Sequence, residues 1–444
     1  MSLTKLKLDF RDHFFFFLIA GLFTIGKGFA VIKIDVGPIP LFISEAVMFF
    51  LLVSFVIPKY IYKKGMFKRD FFFHVLFLYL SLGAVNLILN INKYGMFAIR
   101  DAVMVYYSVF ILITLEVVNN IKKFEFLYKL LYVCGTAGLI IGALFSFSES
   151  FSKLPLIEFI KEDSQVVYYS FLSVGIFCFF PFARRKLTQN ILILSLGIAL
   201  TEIVILGYRS VWLALAVSII FVCILTKEDA FKTISDIMKT ALRILPLFVL
   251  IIAVTAYFQK DRFFYFYDKI IWFIHPEETI YASNTTDWRF ALWQRAIHTT
   301  VTSFPMLGAG FGCPYQFQGI IAGQILPQAT GFGVNSQITM PHNVLISVFY
   351  KMGLLGLLCY LTMNILFFVK CLNFYNDCRD NLKRSFMLVL LGCFVCWQII
   401  SLFFPVLENP QNGIFLWVLI GLGLSLTYIG DREINITRTD NTTI

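Results

Sequence analysis

The sequence predicts an all-α polytopic membrane protein of about twelve transmembrane helices, with one large loop before the tenth. Three observations predict it. Hydrophobic residues make up 59% of the chain and charged residues 14%, against about 25% charged in soluble domains. The apolar runs are continuous and about 20 residues long, the span of a helix across hydrocarbon. Barrel strands would instead read as alternating segments of about ten residues. Finally, Lys and Arg fall on every second loop, as an ordered set of crossings requires.

The runs lie near 14–34, 38–58, 71–91, 97–118, 126–148 and 166–183, then near 188–207, 210–226, 241–258, 341–369, 384–405 and 413–429. One set of connections carries Lys5, Lys7 and Arg11, then Lys59, Lys63, Lys64, Lys68 and Arg69. It continues with Lys122 and Lys123, Arg184 to Lys186, Lys227, Lys232 and Lys239, and Arg379, Lys383 and Arg384. The short loops of the other set hold little beyond Lys33, Lys93, Lys153 and Lys161. The basic set is assigned to the inside, with both termini. The chain therefore divides into 1–258 (helices one to nine), 259–340 (a large outer loop) and 341–444 (helices ten to twelve and a short tail).

The net charge of +10 is topological on this reading and implies no nucleic acid. Most of the nine cysteines sit in apolar runs as small buried hydrophobes. No Cys/His spacing suits zinc, and no HExxH or acidic cluster accompanies the five histidines, so no metal and no cofactor are expected.

Charge within a span is costly and marks function by default. The candidates gather toward outer ends: Glu45, Arg100 and Asp101, Glu202, and Lys351. Arg209 tips the hairpin Leu206-Gly207-Tyr208-Arg209-Ser210. Arg100 and Asp101 can equally pair with each other. In the outer loop, 284–297 reads as an amphipathic helix with Thr286 as N-cap. On it Arg289 and Arg295 point about 120° apart, so they do not share a ligand. Leu307-Gly308-Ala309-Gly310-Phe311-Gly312 reads as a tight turn that lets backbone approach other protein closely. The stretch 313–340 is a plausible flap. His342, followed by Asn343 at the outer mouth of span ten, is the candidate base.

Three pieces in order resemble the O-antigen ligase/polymerase family of integral membrane glycosyltransferases. They are Gly207-Tyr208-Arg209-Ser210-Val211-Trp212, then Trp288-Arg289-Phe290 to Trp293 with Pro305 and the glycine turn, then His342-Asn343 with Gly353. Gly37-Pro38 with Glu45 is a weaker match. The resemblance implies a cavity on the periplasmic face of a bacterial inner membrane. It also implies a glycan donor carried on undecaprenyl pyrophosphate and a glycan or lipid A–core acceptor. Membrane lipid surrounds the site, and the reading leaves room for a chain-length regulator protein. Arg209 and Arg289 match the family's two diphosphate-side arginines and His342 its essential histidine. Arg100, Glu45, Glu202 and Asn343 are supporting candidates. In many ligases a Thr or Ser pair follows the glycine matching Gly353; here Leu354-Leu355-Gly356 follows, which favours polymerase over ligase. A transporter of lipid-linked sugars would show paired broken helices and midplane charge, neither of which is legible. A scaffold without chemistry would not need two arginines and a histidine on one face.

Overall fold

The computed structural model describes residues 8–36, 39–62, 70–146, 165–183, 185–206, 208–258, 280–315 and 341–441. Gly37-Pro38, Gly207, His275 and the 316–340 stretch lie outside the described residues.

Helix covers each of the twelve apolar runs. Among the described residues, eight helices are long and apolar enough to cross a membrane. The protein is a helical, polytopic membrane protein. The first two runs are shorter than their sequence suggests. The opening helix, Phe10–Ile25, is followed by the short helix Lys27–Ala30. A two-stranded antiparallel ribbon then pairs Lys33–Val36 with Ile39–Phe42. The β-branched Ile34, Val36 and Ile39 favour extended backbone there. The next helix begins at Ile43 rather than near 38. It carries a π turn at Leu52–Val56, and the Ser54 carbonyl accepts from the Arg11 guanidinium at 2.7 Å.

Lipid tails are as apolar as the helices, so close packing and interhelical hydrogen bonds must hold the bundle. Small residues provide the approach. A methyl placed on Gly392 would meet Val174 at 2.8 Å, and one on Gly423 would meet Phe367 at 2.5 Å. The Gly392 carbonyl accepts the buried Ser218 hydroxyl at 2.7 Å. The helices Asn381–Ser401 and Pro410–Asn441 form the centre, with Trp397 and Trp417 fully buried.

Buried charge occurs at both ends of the bundle, which corrects the expectation that it gathers at one. Asp12 is fully buried against Lys123 at 2.6 Å. Lys59 pairs with the buried Glu116. Asp70 takes both Lys370 and the Tyr428 hydroxyl. Lys123 and Lys59, read from sequence as topological, are therefore also ties between helices. Removing one member of a buried pair strands the other charge, at about 3–5 kcal/mol. Asp12→Asn should accordingly lower the melting temperature in detergent strongly. Adding Lys123→Met to it should recover most of the loss, and additive losses would show the pair to be uncoupled.

Candidate functional site

The helix Val344–Asp377 is broken at Gly353, whose φ is 67° and ψ −164°. Such a break leaves backbone groups without helical partners, and in an apolar setting each must be satisfied elsewhere. The glycine turn of residues 305–312 does this. The Tyr350 carbonyl accepts from Ala309 N–H at 2.7 Å, and the Lys351 carbonyl from Gly310 N–H at 3.2 Å. In return Leu354 N–H donates to Pro305 at 2.9 Å and Leu355 N–H to Met306 at 3.2 Å. The two backbones interlock so closely that a Cβ on Gly353 would lie 2.4 Å from the Met306 carbonyl. A Cβ on Gly308 would lie 2.5 Å from Lys351 backbone. The expected close approach of this turn to other protein is thus an approach to span ten.

Two earlier helices lock the joint. Asn86 donates to the Leu307 and Lys351 carbonyls at 3.0 and 2.9 Å and accepts Phe311 N–H at 2.9 Å. Asp101 accepts Gly312 N–H at 2.8 Å and pairs with the buried Lys351. Lys351 also donates to the Cys313 carbonyl at 2.6 Å. The pairing of Arg100 with Asp101 is corrected: Asp101 serves Lys351, and Arg100 is exposed. This break is closed by backbone rather than open to a pathway.

His342 lies just before the broken helix, with a φ of 51°. A left-handed backbone at a non-glycine residue costs about 1–3 kcal/mol and persists only where neighbours enforce it. Those neighbours flank it in sequence. The Pro341 carbonyl accepts the Trp293 indole N–H at 2.5 Å. Asn343 caps the helix through Ile346 N–H at 3.2 Å and donates to the Leu402 carbonyl at 3.2 Å. His342 is therefore held between the loop helix Ile280–Ser303 and the 402–409 loop. That loop helix starts at Ile280, not after Thr286. A cap contributes only about 1 kcal/mol, and packing against span ten outweighs it.

Arg289 is half-buried beside His342, whereas Arg295 is exposed, as their helical spacing requires. Burial, reinforced by the Arg289 charge, pushes the His342 imidazole down to about 4. The ring is then neutral at physiological pH and able to accept a proton. Burial also lowers the Arg289 guanidinium.

The remaining candidates are placed as follows. Arg209 is exposed and opens the helix Arg209–Thr226. Its neighbour Tyr208 meets Phe404 edge-on, with ring centroids 5.1 Å apart. The 402–409 loop thus touches both the Arg209 hairpin and Asn343. Glu202 is buried, in electrostatic reach of Tyr169. Glu45 accepts from the Tyr106 hydroxyl at 2.6 Å and from Phe42 N–H at 3.2 Å, so it caps a helix on the bundle. Glu408 escaped the sequence reading because it lies in an apolar loop with no motif around it. Burial pushes its carboxyl up to about 7, Asp101 adding to the shift while Ser347 and Lys351 oppose it. Among the described residues no three His, Cys, Asp or Glu side chains cluster as metal ligands would.

The fold and site together define a polytopic helical membrane protein with a histidine–arginine pair at one end of the bundle. Residues 194–361, a segment that includes Arg209, Arg289, His342 and Gly353, match the model of the family described as O-antigen ligase. The match supports ligase/polymerase-type function in polysaccharide synthesis. No curated protein matches the chain.

Gly353→Ala combines a strained φ with the clash at Met306. We expect a loss of at least about 2 kcal/mol, since this glycine-only backbone region alone costs a side chain about 1–3. A scanning-fluorimetry melt in detergent measures it. An unchanged melting temperature would mean that the interlock contributes little.

Proposed function

We propose that the protein is a polymerase of surface polysaccharide (O-antigen, capsule or exopolysaccharide) acting at the periplasmic face of the bacterial inner membrane, with both termini cytoplasmic. It transfers a glycan from undecaprenyl pyrophosphate to a sugar hydroxyl. The observation that carries this reading is the pairing of Arg289 with a neutral, backbone-strained His342 inside the matched segment. Ligase is the second reading, favoured by the description of the matching family. The broken helix gives no matching support to a transporter, because its free backbone groups are already used by the glycine turn.

The chemistry needs no further group than these residues supply. The acceptor hydroxyl oxygen bonds to the anomeric carbon of the donor while the bond from that carbon to the diphosphate breaks. His342 takes the hydroxyl proton. Arg289, with Arg209, stabilises the departing diphosphate, a task suited to planar guanidinium forks. Asn343 holds the imidazole in place through its cap and its bond to Leu402. Donor binding also arms the base. Burial and then the Arg289 charge hold the imidazole low, and a bound diphosphate offsets that charge, raising the affinity of His342 for a proton.

A strain lacking the gene, complemented with wild type or His342→Ala, tests the assignment on a gel of surface polysaccharide. Wild type should restore a ladder and His342→Ala should not. Core bearing one repeat unit in the null strain means polymerase, whereas bare core with glycan left on its lipid carrier means ligase. Restoration of the ladder by His342→Ala would end the general-base role. Arg289→Lys retains charge but not the fork, and we expect at least a tenfold loss of turnover in a reconstituted assay.

The base works deprotonated, so activity falls as pH drops through the His342 pKa. For kcat/KM of the donor, which reports free enzyme, that acid limb should lie near 4. For kcat, which reports the donor complex, it should lie higher. Coincident limbs would contradict the coupling between Arg289 and His342.

A further inference from the structure

One cluster of polar side chains near His342 is not used by the chemistry above. Glu408 Oε1, Ser347 Oγ and Tyr315 Oη are all sealed from solvent. Ser347 interacts electrostatically with both of the others. The residue Glu408 as a whole keeps part of its surface open. The cluster is near the base. Ser347 N–H donates to the Asn343 carbonyl at 2.9 Å, which places it one helical turn, about 6 Å, from the residue that follows His342. Asn343 in turn ties the loop bearing Glu408 through Leu402.

Charge sorts the two substrates between the two sides. The diphosphate of a donor is drawn to Arg289 and Arg209 and repelled by a carboxylate. Lys351, a cation in electrostatic reach of Glu408, is already paired with Asp101. The Glu408 side therefore suits a neutral ligand rich in hydroxyl groups. Carboxylates accept hydrogen bonds from adjacent sugar hydroxyls, and the buried Ser347 and Tyr315 hydroxyls can fix the sealed oxygen behind. A carboxyl that titrates near 7 can also donate a hydrogen bond in part of its population.

We infer that Glu408, backed by Ser347 and Tyr315, is an acceptor-binding residue that grips the incoming sugar by its hydroxyls and presents one of them to His342. The inference rests on the glycosyl-transfer reading.

The test uses the full-length protein in lipid vesicles. The donor is the lipid-linked repeat unit extracted from a strain lacking this gene, and the acceptor is the same repeat unit freed from its lipid. Two rates are followed together: transfer to the acceptor, and hydrolysis of the donor by water. In Glu408→Gln, transfer at low acceptor should fall at least tenfold and recover as acceptor is raised. Donor hydrolysis and the donor KM should stay within twofold of wild type. Ser347→Ala should show the same pattern more weakly, and Glu408→Asp should restore part of the acceptor affinity. Wild-type acceptor dependence in Glu408→Gln would overturn the inference. So would equal losses of transfer and hydrolysis with a lowered melting temperature, which would make the cluster structural. Equal transfer by His342→Ala and wild type would instead remove the transfer reading on which this one stands.

Discussion

The exchange of backbone hydrogen bonds across the Gly353 break is the constraint on which the site depends. An unsatisfied amide or carbonyl at membrane depth costs several kcal/mol. Span ten can be interrupted there because the 305–312 turn supplies partners to Tyr350, Lys351, Leu354 and Leu355. That need fixes the turn to the helix. The loop helix Ile280–Ser303 ends immediately before the turn, so its position is fixed as well. Trp293 then meets Pro341, and Arg289 comes to rest beside His342. Asn86 and Asp101 extend the same lock to the helices Phe71–Tyr94 and Met96–Asp101.

The electrostatics follow from this architecture. A histidine buried beside an arginine is a weak base before anything binds, and the anion that Arg289 attracts is what would strengthen it. Glu408 carries a carboxyl that burial raises to about 7, and Asp101 is paired with Lys351. On the proposed reading, the arginines take the anionic donor and Glu408 takes the hydroxyls of the acceptor. The opposite end, with Asp12–Lys123, Lys59–Glu116 and Asp70–Lys370, is engaged in holding helices together.

Much of this was legible in the residues. Continuous apolar runs gave the helices, because length and composition alone decide them in lipid. Gly308, Gly310 and Gly312 announced a close backbone approach, and the structure supplies its target. His342 and Arg289 stood out as ionisable groups beside a span. Other features could not be read. The left-handed backbone of His342 has no sequence signature, since it is imposed by Trp293 and Leu402 from distant segments. Glu408 looked like an ordinary loop acid until folding placed it against Ser347 and Tyr315. Lys123 matched the pattern of a topological charge, and only its proximity to Asp12 shows a second role. The Thr286 cap signal was real chemistry but too small to set where the loop helix begins.

The measurement that tests the account most directly is a cryo-electron microscopy map of the reconstituted protein with a non-hydrolysable polyprenyl-diphosphate glycan. The account predicts diphosphate density against the Arg289 guanidinium, with the anomeric carbon turned toward the His342 ring. Diphosphate bound away from Arg289, with His342 facing protein alone, would contradict it.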